Sequence, residues 1–161
     1  MAETMQNINL NLSTKKKFTL DGDPDRVIEL DISDINIIDR ATIAFRNIEK
    51  LQADWEALPV PGDIEGEDDN LAERFSEIED FSEKFSEIEN KLKQEINFMF
   101  DSDISDTIFG TSSPFSIING KFKFQHTVDV LMSLYENQIQ SDIKKINRPK
   151  VVNKTQRYIK R

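Results

Sequence analysis

The sequence predicts an α+β fold, predominantly α: an N-terminal β-hairpin, a long antiparallel helical hairpin, a second short β-hairpin, a C-terminal helix and a basic tail. Three observations lead there. Apolar residues recur every three or four positions over three long stretches, which is the spacing of one helix face. Asp21-Gly22 and Asn119-Gly120 each sit between short extended runs, where a tight hairpin turn needs positive φ. The five glycines and five prolines fall at the borders of these stretches. At 161 residues the chain suits one domain with tails. The expected division is a flexible arm or edge strand over 1–16, a single α+β domain over 17–147 with an acidic helical arm at 61–106, and a basic tail over 148–161.

In the first segment Ile8, Leu10 and Leu12 alternate with asparagines, a period of two that suits an edge strand as well as an unstructured arm. Lys17–Leu20 and Arg26–Ile32 flank Asp21-Gly22-Asp23-Pro24, and in the second run Val27, Ile28, Leu30 and Ile32 are apolar with Glu29 and Asp31 alternating outward, which predicts a hairpin. Ser33 or Asp34 is placed to cap a helix running to about Leu58, with Ile38, Ala41, Phe45, Ile48, Leu51, Trp55 and Leu58 inward. Pro59 and Pro61 end it. Val60–Asn70 is rich in acids and glycine and reads as a loop.

The helix from Leu71 to about Phe100 carries the clearest pattern. Its apolar residues at 71, 75, 78, 81, 85, 88, 92, 96 and 99 have a mean step of 3.5, the period of a coiled-coil seam. Within it Phe75-Ser-Glu-Ile-Glu79 recurs as Phe85-Ser-Glu-Ile-Glu89. The local partner for the seam is the first helix, and another protein is the alternative. Phe109–Pro114 reads as an irregular turn, Phe115–Ile118 and Lys121–Phe124 as the second hairpin. Gln125–Ile146 reads as a helix with Val128, Leu131, Leu134, Tyr135, Ile139, Ile143 and Ile146 inward, ended before Pro149.

Composition removes most chemistry. With no cysteine there is no disulfide, thiolate metal site or cysteine nucleophile. The single His126 leaves no multi-histidine metal centre, and a Ser-His-Asp triad has no supporting motif. Asp21-Gly-Asp-Pro-Asp25 lacks the sixth-position Gly and closing Glu of a calcium loop. Phosphate loops and nucleophile elbows are absent too. Glu77, Glu79, Glu87 and Glu89 read as a solvated helix face. The expectation is no enzyme, no cofactor and no metal. No stretch reaches the roughly 20 apolar residues of a membrane span, and no secretory leader is legible at Met1–Ser13, so no membrane is expected.

Charge is unevenly placed. Residues 61–106 carry a net −12 and residues 107–161 a net +7, within a total of −9. Such a chain favours head-to-tail contacts between copies, or a partner of mixed charge. The tail holds Lys144, Lys145, Arg148, Lys150, Lys154, Arg157, Lys160 and Arg161 with Tyr158 interleaved, a composition that can meet phosphates and stack a base. The acidic arm opposes a polyanion, and nucleic acid is disfavoured.

The run Ile108-Phe109-Gly110-Thr-Ser-Ser-Pro114-Phe115-Ser-Ile-Ile-Asn-Gly120-Lys121-Phe122-Lys-Phe124 precedes an amphipathic helix and the basic tail. Together they resemble the tail assembly chaperones found in the tail gene clusters of siphophages that infect Gram-positive bacteria. The hairpin, Asp34-Ile-Asn-Ile-Ile-Asp39 and helix of the N-terminal half fit more loosely. The resemblance implies a non-enzymatic protein of the host cytoplasm. Such a protein coats the hydrophobic tape measure protein, or binds tail tube components, and it self-associates. No catalytic residue is carried over. The contact residues then expected are Phe75, Ile78, Phe81, Phe85 and Ile88 on the arm, with Lys150, Lys154 and Arg157 in the tail. The competing readings are a small acidic phage inhibitor of a nucleic-acid-binding host defence protein, and a minor virion structural protein.

Overall fold

The computed structural model describes residues 3–59 and 71–159, with side chains as far as residue 146. The linker expected at Val60–Asn70 lies outside the described residues. In chain order the elements are β1 (Lys16–Leu20), β2 (Asp23–Leu30), α1 (Ile37–Glu56), α2 (Leu71–Phe100), α3 (Ser105–Phe109), β3 (Ile117–Ile118), β4 (Lys121–Phe122) and α4 (Lys123–Ile159). The fold is α+β and mostly helical, with two small antiparallel hairpins.

Residues 3–15 form no ladder, so the edge-strand reading of this segment is not realised. Thr14 ties its end to the domain by donating its hydroxyl to Asp31 at 2.5 Å. β1 and β2 then pair with Phe18 opposite Ile28 and Lys16 opposite Leu30. Asp21 and Gly22 turn the chain at φ 52° and 73°, the left-handed pair that a two-residue hairpin demands. β2 starts earlier than the spacing suggested, at Asp23, and a bulge after Thr19 absorbs Pro24. Ile28, Leu30 and Ile32 are buried as expected, although Ile32 lies past the strand end.

α1 departs from expectation at two places. Neither Ser33 nor Asp34 is its cap; the helix begins after Asn36, which makes no side-chain capping bond. Asp34 instead accepts the Asn36 amide at 3.1 Å and pairs with Arg40 at 3.0 Å, closing a turn ahead of the helix. The inward face is Ile37, Ala41, Ala44, Ile48 and Leu51, while Ile38 and Phe45 are exposed. Alanine is small enough to let two helix backbones approach closely, and Ala44 is wholly buried. The bulkier neighbours carried the hydropathy signal and pointed one position away.

α2 packs antiparallel on α1 within the same chain. Arg40 donates to the Met99 carbonyl at 3.0 Å and Asn47 donates to Glu95 at 3.1 Å, so the two helices run in opposite directions. α2 ends in a Schellman turn: Ser102 N–H donates to Asn97 O and Asp101 N–H to Phe98 O, with Asp101 at φ 48°. The Asn97 side chain then clasps the next turn, accepting from the Ile104 and Ser105 amides and the Ser105 hydroxyl. That clasp launches α3, a helix of five residues that the periodicity did not reveal. Arg26 closes its far end by donating to the Ile108 carbonyl at 2.8 Å.

The second hairpin turns at Asn119 and Gly120, with φ 51° and 78°, but its strands are only two residues long. Phe115 and Ser116 lie outside β3, and Lys123 and Phe124 already belong to α4. Lys123 N–H donates to Ser116 O and Phe124 N–H to Pro114 O, so the loop caps the start of α4 in place of a longer ladder. α4 buries Phe124, Val128, Leu131 and Tyr135, but Ile143 and Ile146, expected inward, are exposed. The helix continues through Pro149 to Ile159 and does not end before it. Proline lacks an N–H and removes one bond there without halting the helix.

One side chain of the core makes a testable exception. The Tyr135 ring is buried against Phe100, with centroids 5.7 Å apart, yet its hydroxyl finds no protein partner among the described residues. Burial pushes its pKa up to about 12, Arg40 works the other way, and Asp31, Asp34 and Asp101 add to the rise. The folded state therefore holds this proton more tightly than the unfolded chain. The associated stability is complete below pH 10 and is lost as pH rises towards 12. Tyr135→Phe is expected to raise stability at neutral pH by about 1 kcal/mol, because an unpaired buried hydroxyl is removed. It should also flatten the alkaline fall. Urea denaturation of both proteins at pH 7 and across pH 9–12 measures the two effects.

Candidate functional site

α2 is longer than the helix it packs on, and that mismatch creates the candidate site. Trp55, near the end of α1, reaches the level of Phe85, since both rings contact Phe115. Residues 71–84 of α2 therefore extend beyond α1 by about 20 Å, at a rise of roughly 1.5 Å per residue. On this arm Leu71, Phe75 and Ile78 are 64%, 64% and 49% exposed, at the spacing of one helix face. Glu77 and Glu79 bracket Ile78.

The base of the arm is an aromatic nest. Phe115 stacks on Trp55 at 5.1 Å and 5°, and meets Phe122 and Phe124 edge-on at 5.8 and 5.5 Å. Phe85 closes the group at 6.3 Å from Phe115, and Phe81 stacks on Phe85 at 5.8 Å. Such pairs combine apolar burial with favourable ring quadrupoles. Four segments meet here: the end of α1, the middle of α2, the β3–β4 hairpin and the start of α4. Ser113 also donates its hydroxyl to Glu89 of α2 at this junction.

The candidate contact residues divide accordingly. Phe75 and Ile78 lie on the exposed arm, Phe81 and Phe85 are half-buried at its root, and Ile88 is buried in the core. Ile88 thus offers no free surface, because the seam turns inward where α1 begins to cover it. Lys150, Lys154 and Arg157 lie on the last turns of α4, and their side chains are outside the described residues.

α4 forms a second arm. Its root sits at the aromatic nest through Phe124, and Tyr135 has reached Phe100 at the other end of α2. It therefore runs in the same direction as α2 and leaves the domain at the opposite end. Past Ile139 it extends by about 30 Å. Ile143 is exposed, and so is Ile146 at 64%, with Lys144 and Lys145 between them. The sequence periodicity held the signal for this arm, but Pro149 masked its length.

Two clefts among the described residues lie away from the arms. One of about 370 Å³ holds Arg26, Lys123 and His126, but Arg26 is engaged by backbone carbonyls and Lys123 donates to Ser112 at 2.6 Å. The other, about 380 Å³ between α1 and α4, has an apolar floor of Phe45, Val128 and Met132 and an acidic rim. Among the described residues, no three histidine, aspartate or glutamate side chains converge as metal ligands. None of the described helices is long and apolar enough to cross a membrane. The arrangement can hold an apolar or amphipathic helix against the arms. No protein-family model, curated protein or solved structure matches the chain.

Proposed function

We propose that the protein is a non-enzymatic tail assembly chaperone of a phage, acting in the host cytoplasm on the tape measure protein or a tail tube component. The observation that carries this reading is the exposed Leu71–Phe75–Ile78 stripe on the α2 arm. A large apolar side chain held in water on a rigid helix is suited to a client helix with its own apolar face. The resemblance over residues 108–124 supplies the phage setting. Those residues form the hairpin and aromatic root from which the arm projects.

Co-expression of the chain with the tape measure protein of its own gene cluster tests the reading. Co-elution is expected, and Phe75→Asp with Ile78→Asp is expected to weaken it at least tenfold with the thermal midpoint unchanged. Capture that survives both substitutions would sink the reading. The inhibitor alternative has one observation in its favour, the exposed acids Glu73, Glu77, Asp80 and Glu83 along the same arm. It predicts the reverse pattern: loss of binding on Glu→Gln changes, and indifference to Phe75→Asp.

A further inference from the structure

We propose that copies of this chain associate head to tail, the acidic α2 arm of one copy lying against the basic α4 arm of the next. The inference does not depend on the chaperone reading. Residues 71–90 carry seven acids and two bases, whereas no acid follows Asp142 and eight bases do. Each arm also presents unpartnered apolar residues, Leu71, Phe75 and Ile78 on one and Ile143 and Ile146 on the other. Glutamates 77 and 79 bracket Ile78, and Lys144 and Lys145 precede Ile146, so apolar contact and charge pairing can be met by the same helix–helix packing. Beyond Ile146, Lys150, Lys154 and Arg157 follow at steps of four and three along the same helix.

Geometry selects a second copy as the occupant. The α2 arm leaves the domain at the aromatic nest, and the α4 arm leaves past Phe100 and Tyr135 at the opposite end. A chain therefore cannot bring its own two arms together. Like arms repel, which disfavours a two-fold dimer through two α2 arms. What remains is a contact between unlike arms, which closes as a reciprocal two-fold dimer or a ring, or continues as a filament.

The test uses the full chain and charge reversal on each of the two arms. One variant carries Glu73→Lys, Glu77→Lys and Asp80→Lys; the other carries Lys144→Glu, Lys145→Glu, Lys150→Glu and Lys154→Glu. Light scattering after size-exclusion chromatography, with circular dichroism as a check on folding, is run at about 0.1 M salt, where screening is incomplete. Dimers or larger assemblies are expected for the unmodified protein, monomers for each variant alone, and renewed association when the two variants are mixed. In the mixture the unaltered acidic α2 arm of the second variant meets the unaltered basic α4 arm of the first, which restores one junction. A monomeric unmodified protein overturns the proposal. So does a dimer that persists in the second variant, or a mixture that stays monomeric. A client that still binds the monomeric variants leaves the chaperone reading standing while this one is judged separately.

Discussion

Phe115→Ala is expected to cost about 3–5 kcal/mol and lower the thermal midpoint by about 10 °C. The side chain is 4% exposed and contacts four other aromatic rings from four different segments. Truncation opens a cavity where rigid rings cannot easily move in, so relaxation recovers little of the loss. Trp55 is the only tryptophan and stacks directly on Phe115. Its emission should therefore shift to the red as water reaches the indole, even below the melting transition. Fluorescence and calorimetry on the same sample separate the two effects. A variant with unchanged stability and unchanged emission would mean that the nest does not anchor the arm.

The second large effect is a contrast within one helix. In the monomeric background carrying Glu73→Lys, Glu77→Lys and Asp80→Lys, Ile96→Ala is expected to destabilise by about 2–5 kcal/mol, and Phe75→Ala by no more than about 0.5 kcal/mol. Both residues lie on the same 3.5-step seam. Ile96 is wholly buried in the layer between α1 and α2, while Phe75 stands in water. Denaturant unfolding of the two variants measures the difference. Equal losses would show that the arm is covered in solution, and the self-association experiment then says by what.

This contrast also shows where sequence stops informing. Period and turn chemistry located both hairpins and α1, α2 and α4, because Asp21-Gly22 and Asn119-Gly120 have one low-energy solution and the stripes recur over many turns. Hydropathy could not say where α2 leaves its partner, since the seam is continuous across the boundary near Phe85. That boundary is set by the length of α1, a tertiary fact. The same blindness placed Phe45 inward, where the buried residue is its neighbour Ala44. α3 was invisible because its origin is the Asn97 side chain, which holds two backbone amides seven and eight residues away. Of the candidate contact residues, Phe75 and Ile78 were placed by pattern alone, and Ile88 was drawn in by belonging to the same pattern.

The opposed exits of α2 and α4 have a kinetic consequence. In a polar assembly each molecule offers one donor end and one acceptor end, so a copy shortened at either arm can join a growing end but cannot be joined in turn. A small fraction of clipped molecules would then set the mean length of the whole population, much as a terminator sets the length of a polymer. Proteolysis at either arm would then be read out as assembly length.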